Sequence, residues 1–212
     1  MEYVLKCLEF MLKGSGITIT LYVITLFLSV PLGLGLALIK NSGGKGLSIA
    51  VDIYTWCFRG TPLLLQLFFV YFGLPVVGLT LSPFSSACVA FVLNYTAYLA
   101  EIFRGGLEAI EPGQYEAAYC LGLTRSQAMG RIIVPQTLKV VLPPLSNEAI
   151  TLVKDTALVA AIGLGDVLRA AKQIVTRDFD VTPFLLAALF YLFFSSIVIL
   201  SFKKIEKRMA YI

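Results

Sequence analysis

The sequence predicts an all-α integral membrane protein with five transmembrane helices. Three observations carry that expectation. Hydrophobic residues make up 58% of the 212 positions and charged residues only 14%. The mean hydropathy is +0.85, well above that of an ordinary water-soluble domain. Apolar runs are also long enough to cross a bilayer, which takes roughly 20 residues of helix for a ~30 Å hydrocarbon core.

The clearest run is Ile17 to Ile39, with no charged residue inside it. It exceeds the ~7–15-residue apolar core of a secretory signal, and no Ala-x-Ala-like cleavage site follows. Pro31, Gly33 and Gly35 within it predict a kink and close helix packing. Further spans are expected over 47–79, with its charged start at the surface, and over 84–103, 142–162 and 183–202. The longest polar stretch, 104–139, is Ala-rich and periodic, so it reads as short helices joined by turns at Pro112-Gly113 and Gly122. No solenoid repeat or inverted similarity between halves is visible, and one membrane domain over 1–212 suffices.

Lys and Arg are retained on the cytoplasmic side of a membrane protein. With the N-terminus outside, the inner segments hold eleven positive residues: Lys40, Lys45, Arg59, Arg104, Arg125, Arg131, Lys139, Lys203, Lys204, Lys207 and Arg208. The outer segments hold five, Lys6, Lys13, Arg169, Lys172 and Arg177, and Lys154 falls inside the fourth span. That balance predicts N-outside and C-inside. The segment 163–182 carries three of the five outer positives and so pulls against the rule.

Composition also excludes chemistry. There is no histidine, which removes Ser-His-Asp and Cys-His catalysis and the commonest metal ligand. Cys7, Cys57, Cys88 and Cys120 are scattered singly, without metal or redox spacing, and read as buried bystanders. The net charge of +4 is spread along membrane edges, not gathered into an aromatic-interleaved basic patch, so nucleic acid is not an expected partner. Ten Tyr and fifteen Phe fit core and membrane-interface packing.

Within the polar stretch the chain reads Glu116-Ala117-Ala118-Tyr119-Cys120-Leu121-Gly122, then nine residues, then Ile132-Ile133-Val134-Pro135. This E-A-A-x-x-x-G pattern followed by I-x-V-P resembles the EAA loop of binding-protein-dependent ABC import permeases, with Val134 where that family usually has leucine. The small side chains suit close approach of another protein, and Gly122 permits the left-handed turn that stops the helix. Three further stretches narrow the resemblance to the polar amino acid permeases: Phe58-Arg59-Gly60-Thr61-Pro62 with Leu63 to Leu67, Glu101 to Gly106, and Pro143 to Glu148 with Lys154-Asp155-Thr156.

The resemblance implies a type I ABC importer permease fold with cytoplasmic coupling helices. Glu116, Ala117, Ala118, Leu121 and Gly122 would then form the element that docks on a cytoplasmic ATPase subunit. It also implies a second permease subunit, expected to be an identical chain, an extracytoplasmic solute-binding protein and a small polar amino acid as cargo, all at a prokaryotic cytoplasmic membrane. ATP and Mg would sit on the partner ATPase. This chain has no Gly-x-x-x-x-Gly-Lys-Ser/Thr loop; Ser42-Gly43-Gly44-Lys45-Gly46 lacks the spaced glycine and the hydroxyl, and reads as a membrane-edge turn. No cofactor or metal is therefore expected here.

Ionisable residues inside a bilayer are costly and normally face a protein interior or a wet cavity. Glu148, Thr151, Leu152 and Asp155 stand at i, i+3, i+4 and i+7, so both carboxylates share a helical face, flanked by Asn147 and Lys154. Asn94, Tyr98 and Glu101 repeat the pattern in the third span, with Arg104 a turn beyond. Glu148, Asp155, Asn147, Thr151, Asn94, Gln66, Tyr98 and Glu101 are the candidate solute-contacting residues. Against that stands internal pairing of Glu101 with Arg104 and of Lys154 with Asp155. Two carboxylates facing solute would favour a basic amino acid. The competing function is an ion-coupled secondary transporter or channel using the same two carboxylates.

Overall fold

The computed structural model describes residues 2–42 and 44–210, and no strand occurs among them. Gly43, in the glycine-rich turn considered above, lies outside the described residues. In chain order the helices are α1 (Glu2–Ser42), α2 (Lys45–Gly60), α3 (Leu63–Phe68), α4 (Pro83–Glu108), α5 (Pro112–Cys120), α6 (Arg125–Ala128), α7 (Val134–Asp155), α8 (Val167–Asp178) and α9 (Thr182–Ala210). Single π turns occupy Phe69–Gly73 and Met129–Ile133, and 3-10 turns occupy Leu74–Val77 and Thr156–Ile162.

Among the described residues, three helices are long and apolar enough to cross a membrane: Glu2–Asn41, Pro83–Glu108 and Thr182–Met209. They contain the first, third and fifth expected spans. The run expected over 47–79 is instead two helices, α2 and the Leu63–Val77 segment, bent by 101°. Pro62 has no amide hydrogen and disfavours the α region at its predecessor, and Thr61 is accordingly extended at φ −121°, ψ 145°. The Gln66 side-chain amide then donates to Phe58 O at 2.8 Å, Thr61 O at 3.1 Å and Thr61 Oγ1 at 2.7 Å. It thereby satisfies carbonyls that the end of α2 leaves open.

The fourth expected span is α7 with its 3-10 continuation, and α7 starts well before residue 142. It falls outside the three helices named above, and its sequence is rich in polar residues: Gln136, Thr137, Lys139, Ser146, Asn147, Glu148 and Thr151.

The central helix is α4. Ser82 caps it by accepting from Ser85 N, and Pro83 opens it with a preset φ. Its most apolar stretch is 61% buried, against 28% for α1 and 11% for α9. The last two therefore present most of their apolar surface outward, as lipid-facing helices do. Close approach of α1 to α4 depends on Gly33, where a Cβ would sit 2.8 Å from Leu99 Cβ. Gly35 meets nothing within 4 Å, so of the two glycines only Gly33 packs tightly. Of the cysteines expected to be buried, Cys57 and Cys120 are exposed, because they stand on the outer faces of α2 and α5.

The two ends of α1 have different neighbours. Near its start, Cys7 and Met11 pack with Val167, Ala170, Ala171 and Ile174 of α8 and with Ala187 of α9. At its end, the Arg125 guanidinium donates to Asn41 O at 3.0 Å. A 41-residue helix spans about 60 Å at 1.5 Å per residue, so α8 and the α5–α6 region lie at opposite ends of the molecule. Asp166, fully buried, anchors the α8 end: it accepts from Leu168 N, Arg169 N and the Tyr191 hydroxyl at 3.0 to 3.1 Å. Burial pushes its carboxyl above the usual carboxylate range.

Candidate functional site

Bent α2–α3, α4 and α7 enclose a cavity of about 440 Å³ lined by Thr61, Pro62, Leu63, Leu64, Asn94, Tyr95, Tyr98, Glu148, Thr151, Asp155 and Leu158. Five residues singled out from sequence spacing meet there: Asn94 and Tyr98 from α4, and Glu148, Thr151 and Asp155 from α7. Leu152, on the same heptad face, turns into the core and is fully buried. The lining holds two carboxylates and no cation. Hydroxyls of Thr61, Thr151 and Tyr98 supply donors and acceptors around them.

Three other candidates stand elsewhere. Gln66 works behind the wall: its Oε1 accepts from Asn94 Nδ2 at 3.0 Å, while Asn94 Nδ2 also donates to Phe58 O at 3.1 Å. Asn147 is exposed and outside the lining. Glu101 is the hub of an ion-pair network drawn from α1, α2 and α4. Lys40 Nζ lies 3.0 Å from its carboxylate, Arg104 Nε 2.9 Å and Arg59 Nη1 3.7 Å. Lys40 also pairs with Asp52, and Arg104 with Glu108. The internal pairing weighed for Glu101 and Arg104 is thus present within a larger cluster. Asp155 takes a different partner from the neighbouring lysine: it accepts from the Tyr95 hydroxyl at 2.7 Å, while Lys154 points outward and is exposed.

Sequence spacing missed Tyr95, Arg59 and the α2–α3 bend. Arg59 lies with its guanidinium carbon 5.6 Å from the centroid of the Tyr98 ring, so it links the Glu101 hub to the cavity wall. The signal for the bend was present in Gly60-Thr61-Pro62, since a residue before proline leaves the helical region.

The α5–α6 region is built as a rigid corner. Pro112 opens α5 and does not form a turn with Gly113. Leu123 N donates to Ala118 O at 3.1 Å and Gly122 N to Tyr119 O at 2.9 Å, the paired bonds of a Schellman stop. Gly122 has φ +77°, a conformation that penalises any side chain. Thr124 and Gln127 then form a reciprocal capping box that starts α6. Ala118 is fully buried, whereas Glu116 and Ala117 are exposed and Leu121 is 78% exposed. An apolar tip on a locked turn suits contact with another protein. Among the described residues no group of three or more His, Cys, Asp or Glu is placed to hold a metal ion.

A family model described as "Binding-protein-dependent transport system inner membrane component" matches residues 29–211. The chain belongs to that family. The permease is 40% identical over 206 residues to the arginine transport system permease protein ArtQ of Bacillus subtilis, covering 95% of this chain and 93% of that one. It is 35% identical to the putative glutamine transport system permease protein GlnP of Rickettsia felis, over 98% of both. The crystal structure of an amino acid ABC transporter with histidines superposes with a TM-score of 0.89 at 34% identity, covering 97% of each chain. The permease therefore has the type I importer fold, and its family places ATP hydrolysis on a separate subunit.

Proposed function

We propose that this permease carries basic amino acids inward as one half of a membrane dimer of two identical chains. The single observation behind the choice of cargo is a cavity whose lining has two carboxylates, Glu148 and Asp155, and no positive side chain. A basic amino acid brings two cationic groups and one carboxylate. Two acidic side chains complement the cations, and the Thr61, Thr151 and Tyr98 hydroxyls serve the carboxylate. An acidic solute would leave like charges facing each other across the cavity. The relatives named above are an arginine transport system permease, a putative glutamine transport system permease and an amino acid ABC transporter solved with histidines, which fits a polar amino acid as cargo.

In this reading the chain crosses the membrane five times, with α2–α3 as a broken second span and α7 as the fourth. The N-terminus lies outside and the C-terminus in the cytoplasm. Glu116 to Gly122 docks on the ATPase that carries ATP and Mg, and an extracytoplasmic binding protein delivers solute at the α8 end. Gln66 fixes Asn94, and the Glu101 hub ties α1, α2 and α4 together beneath the cavity.

Direct binding to the purified permease in nanodiscs tests the cargo assignment. Glu148→Gln and Asp155→Asn should each weaken lysine and arginine binding by roughly 10-fold or more, the scale of a lost charge-assisted contact, while neutral amino acids are affected less. Unchanged preference for cationic over neutral solute in both variants would sink it.

A further inference from the structure

We propose that Arg59 is a tethered competitor for the solute's cation. Its guanidinium exchanges between Glu101, where it stands in this structure, and Glu148 on the far side of Tyr98, and a basic amino acid binds by keeping it off Glu148. The nature of the solute rests on the reading above, whereas the exchange concerns two anions and one cation of this chain.

Glu101 holds Arg59 loosely. Its carboxylate is already hydrogen-bonded by Lys40 at 3.0 Å and by Arg104 at 2.9 Å. Arg59 Nη1 is 3.7 Å away, beyond the roughly 2.7–2.9 Å of a charge-assisted hydrogen bond. The Arg59 side chain is also 43% exposed, against 21% for Lys40 and 31% for Arg104. It stands in the last turn of α2, beside Gly60, which packs against nothing within 4 Å, and the extended Thr61.

The other side of Tyr98 lacks a cation. Glu148 and Asp155 line the cavity with no positive side chain among them, and Lys154 is exposed on the outer side of α7. Ionised groups inside a membrane protein are normally paired or wet. The Arg59 guanidinium carbon lies 5.6 Å from the centroid of the Tyr98 ring, Tyr98 lines the cavity with Glu148, and the Arg59 charge acts on the Glu148 carboxylate. Tyr98 and Glu101 are three residues apart on α4, about 4.5 Å along the axis. A change of rotamer in the long arginine stem covers that distance while α2 stays in place. A permanent Arg59–Glu148 pair would leave no acceptor for a solute cation. Loose holding at Glu101, with the Tyr98 face as a second resting place, lets the guanidinium give way and return.

The test uses the purified permease in nanodiscs and two readouts. Thermal unfolding without solute is measured for the wild type, Arg59→Gln, Glu148→Gln and the double variant. An exchange makes the two losses of Tm non-additive, so the double variant loses clearly less than their sum. Additive losses overturn the proposal and leave Arg59 as a brace between α2 and α4. The second readout is Kd for lysine and arginine. Removing a competitor that occupies Glu148 for about 80–90% of the time tightens apparent binding about 5- to 10-fold. Arg59→Gln should show that gain, Arg59→Lys should stay near the wild type because the charge is kept, and the gain should vanish in the Glu148→Gln background. Unchanged or weaker binding by Arg59→Gln overturns the proposal. If the wild type binds no basic amino acid while the Tm losses are non-additive, the cargo assignment fails and the exchange stands.

Discussion

The Tyr95 hydroxyl of α4 donates a 2.7 Å hydrogen bond to Oδ2 of Asp155 on α7, inside the lining of the two-carboxylate cavity. Tyr95 is only 3% exposed and stacks against Phe91, with ring centroids 6.5 Å apart. The carboxylate is thus held by a residue that cannot swing away. Tyr95→Phe keeps the packing and deletes the bond, so the fold should persist while affinity for a basic amino acid falls by about 5- to 30-fold, equivalent to roughly 1–2 kcal/mol. Titration of arginine against both proteins in nanodiscs measures it, and equal affinities would mean that Tyr95 does not orient Asp155 for solute.

The Glu101 hub predicts a stability effect with no direct loss of solute contact. Its carboxyl side chain is 15% exposed and faces Lys40, Arg59 and Arg104. Glu101→Gln leaves these cations without their shared anion and should lower stability by about 1–3 kcal/mol, a value reduced because Arg59 and Arg104 are partly exposed. Thermal unfolding in detergent reads this. Direct solute contact by Glu101 would instead appear as lost affinity at unchanged stability.

Gly122 is expected to tolerate no side chain. At φ +77° a β-branched residue costs roughly 1–2 kcal/mol in the turn, so Gly122→Val should unlock the Schellman stop after α5. The expected outcome is normal solute binding with loss of solute-stimulated ATP hydrolysis by the assembled complex. Retained stimulation would remove α5 from the coupling role.

Asp166 predicts a pH dependence at the α8 end. Burial raises its carboxyl, so on raising pH the unfolded chain loses the proton first and stability falls from about pH 3.9 until the raised value is passed. Below the ordinary value both states are protonated and the effect is absent. Asp166→Asn should remove that slope. Hydrogen exchange of the Leu168 and Arg169 amides, which bond to this carboxyl, follows it from pH 3.5 to 7 with correction for intrinsic exchange.

Much of the fold was legible because a bilayer imposes length and hydropathy on each helix. Ile17 to Ile39 and the runs at 84–103 and 183–202 fall inside α1, α4 and α9. The α2–α3 bend was obscured because hydropathy counts apolar residues and is blind to direction. Only Pro62 and the three Gln66 bonds show that the chain turns there. Helical spacing placed Glu148, Thr151 and Asp155 on one face, and they share one cavity. The same spacing could not separate Asn94 from Glu101, two turns apart on α4, since one meets the cavity and the other meets cations from α1 and α2. Which side chains answer Glu101 depends on contacts between residues distant in sequence, and periodicity along one helix carries no record of them.

ATP-driven import of a basic amino acid is read out by uptake into reconstituted vesicles. Proteoliposomes containing the permease, its ATPase and the binding protein, loaded with ATP and Mg, should accumulate arginine or lysine in preference to glutamate. Accumulation should cease when ATP is withheld or when Gly122→Val is introduced. Uptake driven by an ion gradient in the absence of the ATPase, or preference for glutamate, would overturn ATP-driven import of basic amino acids by this permease.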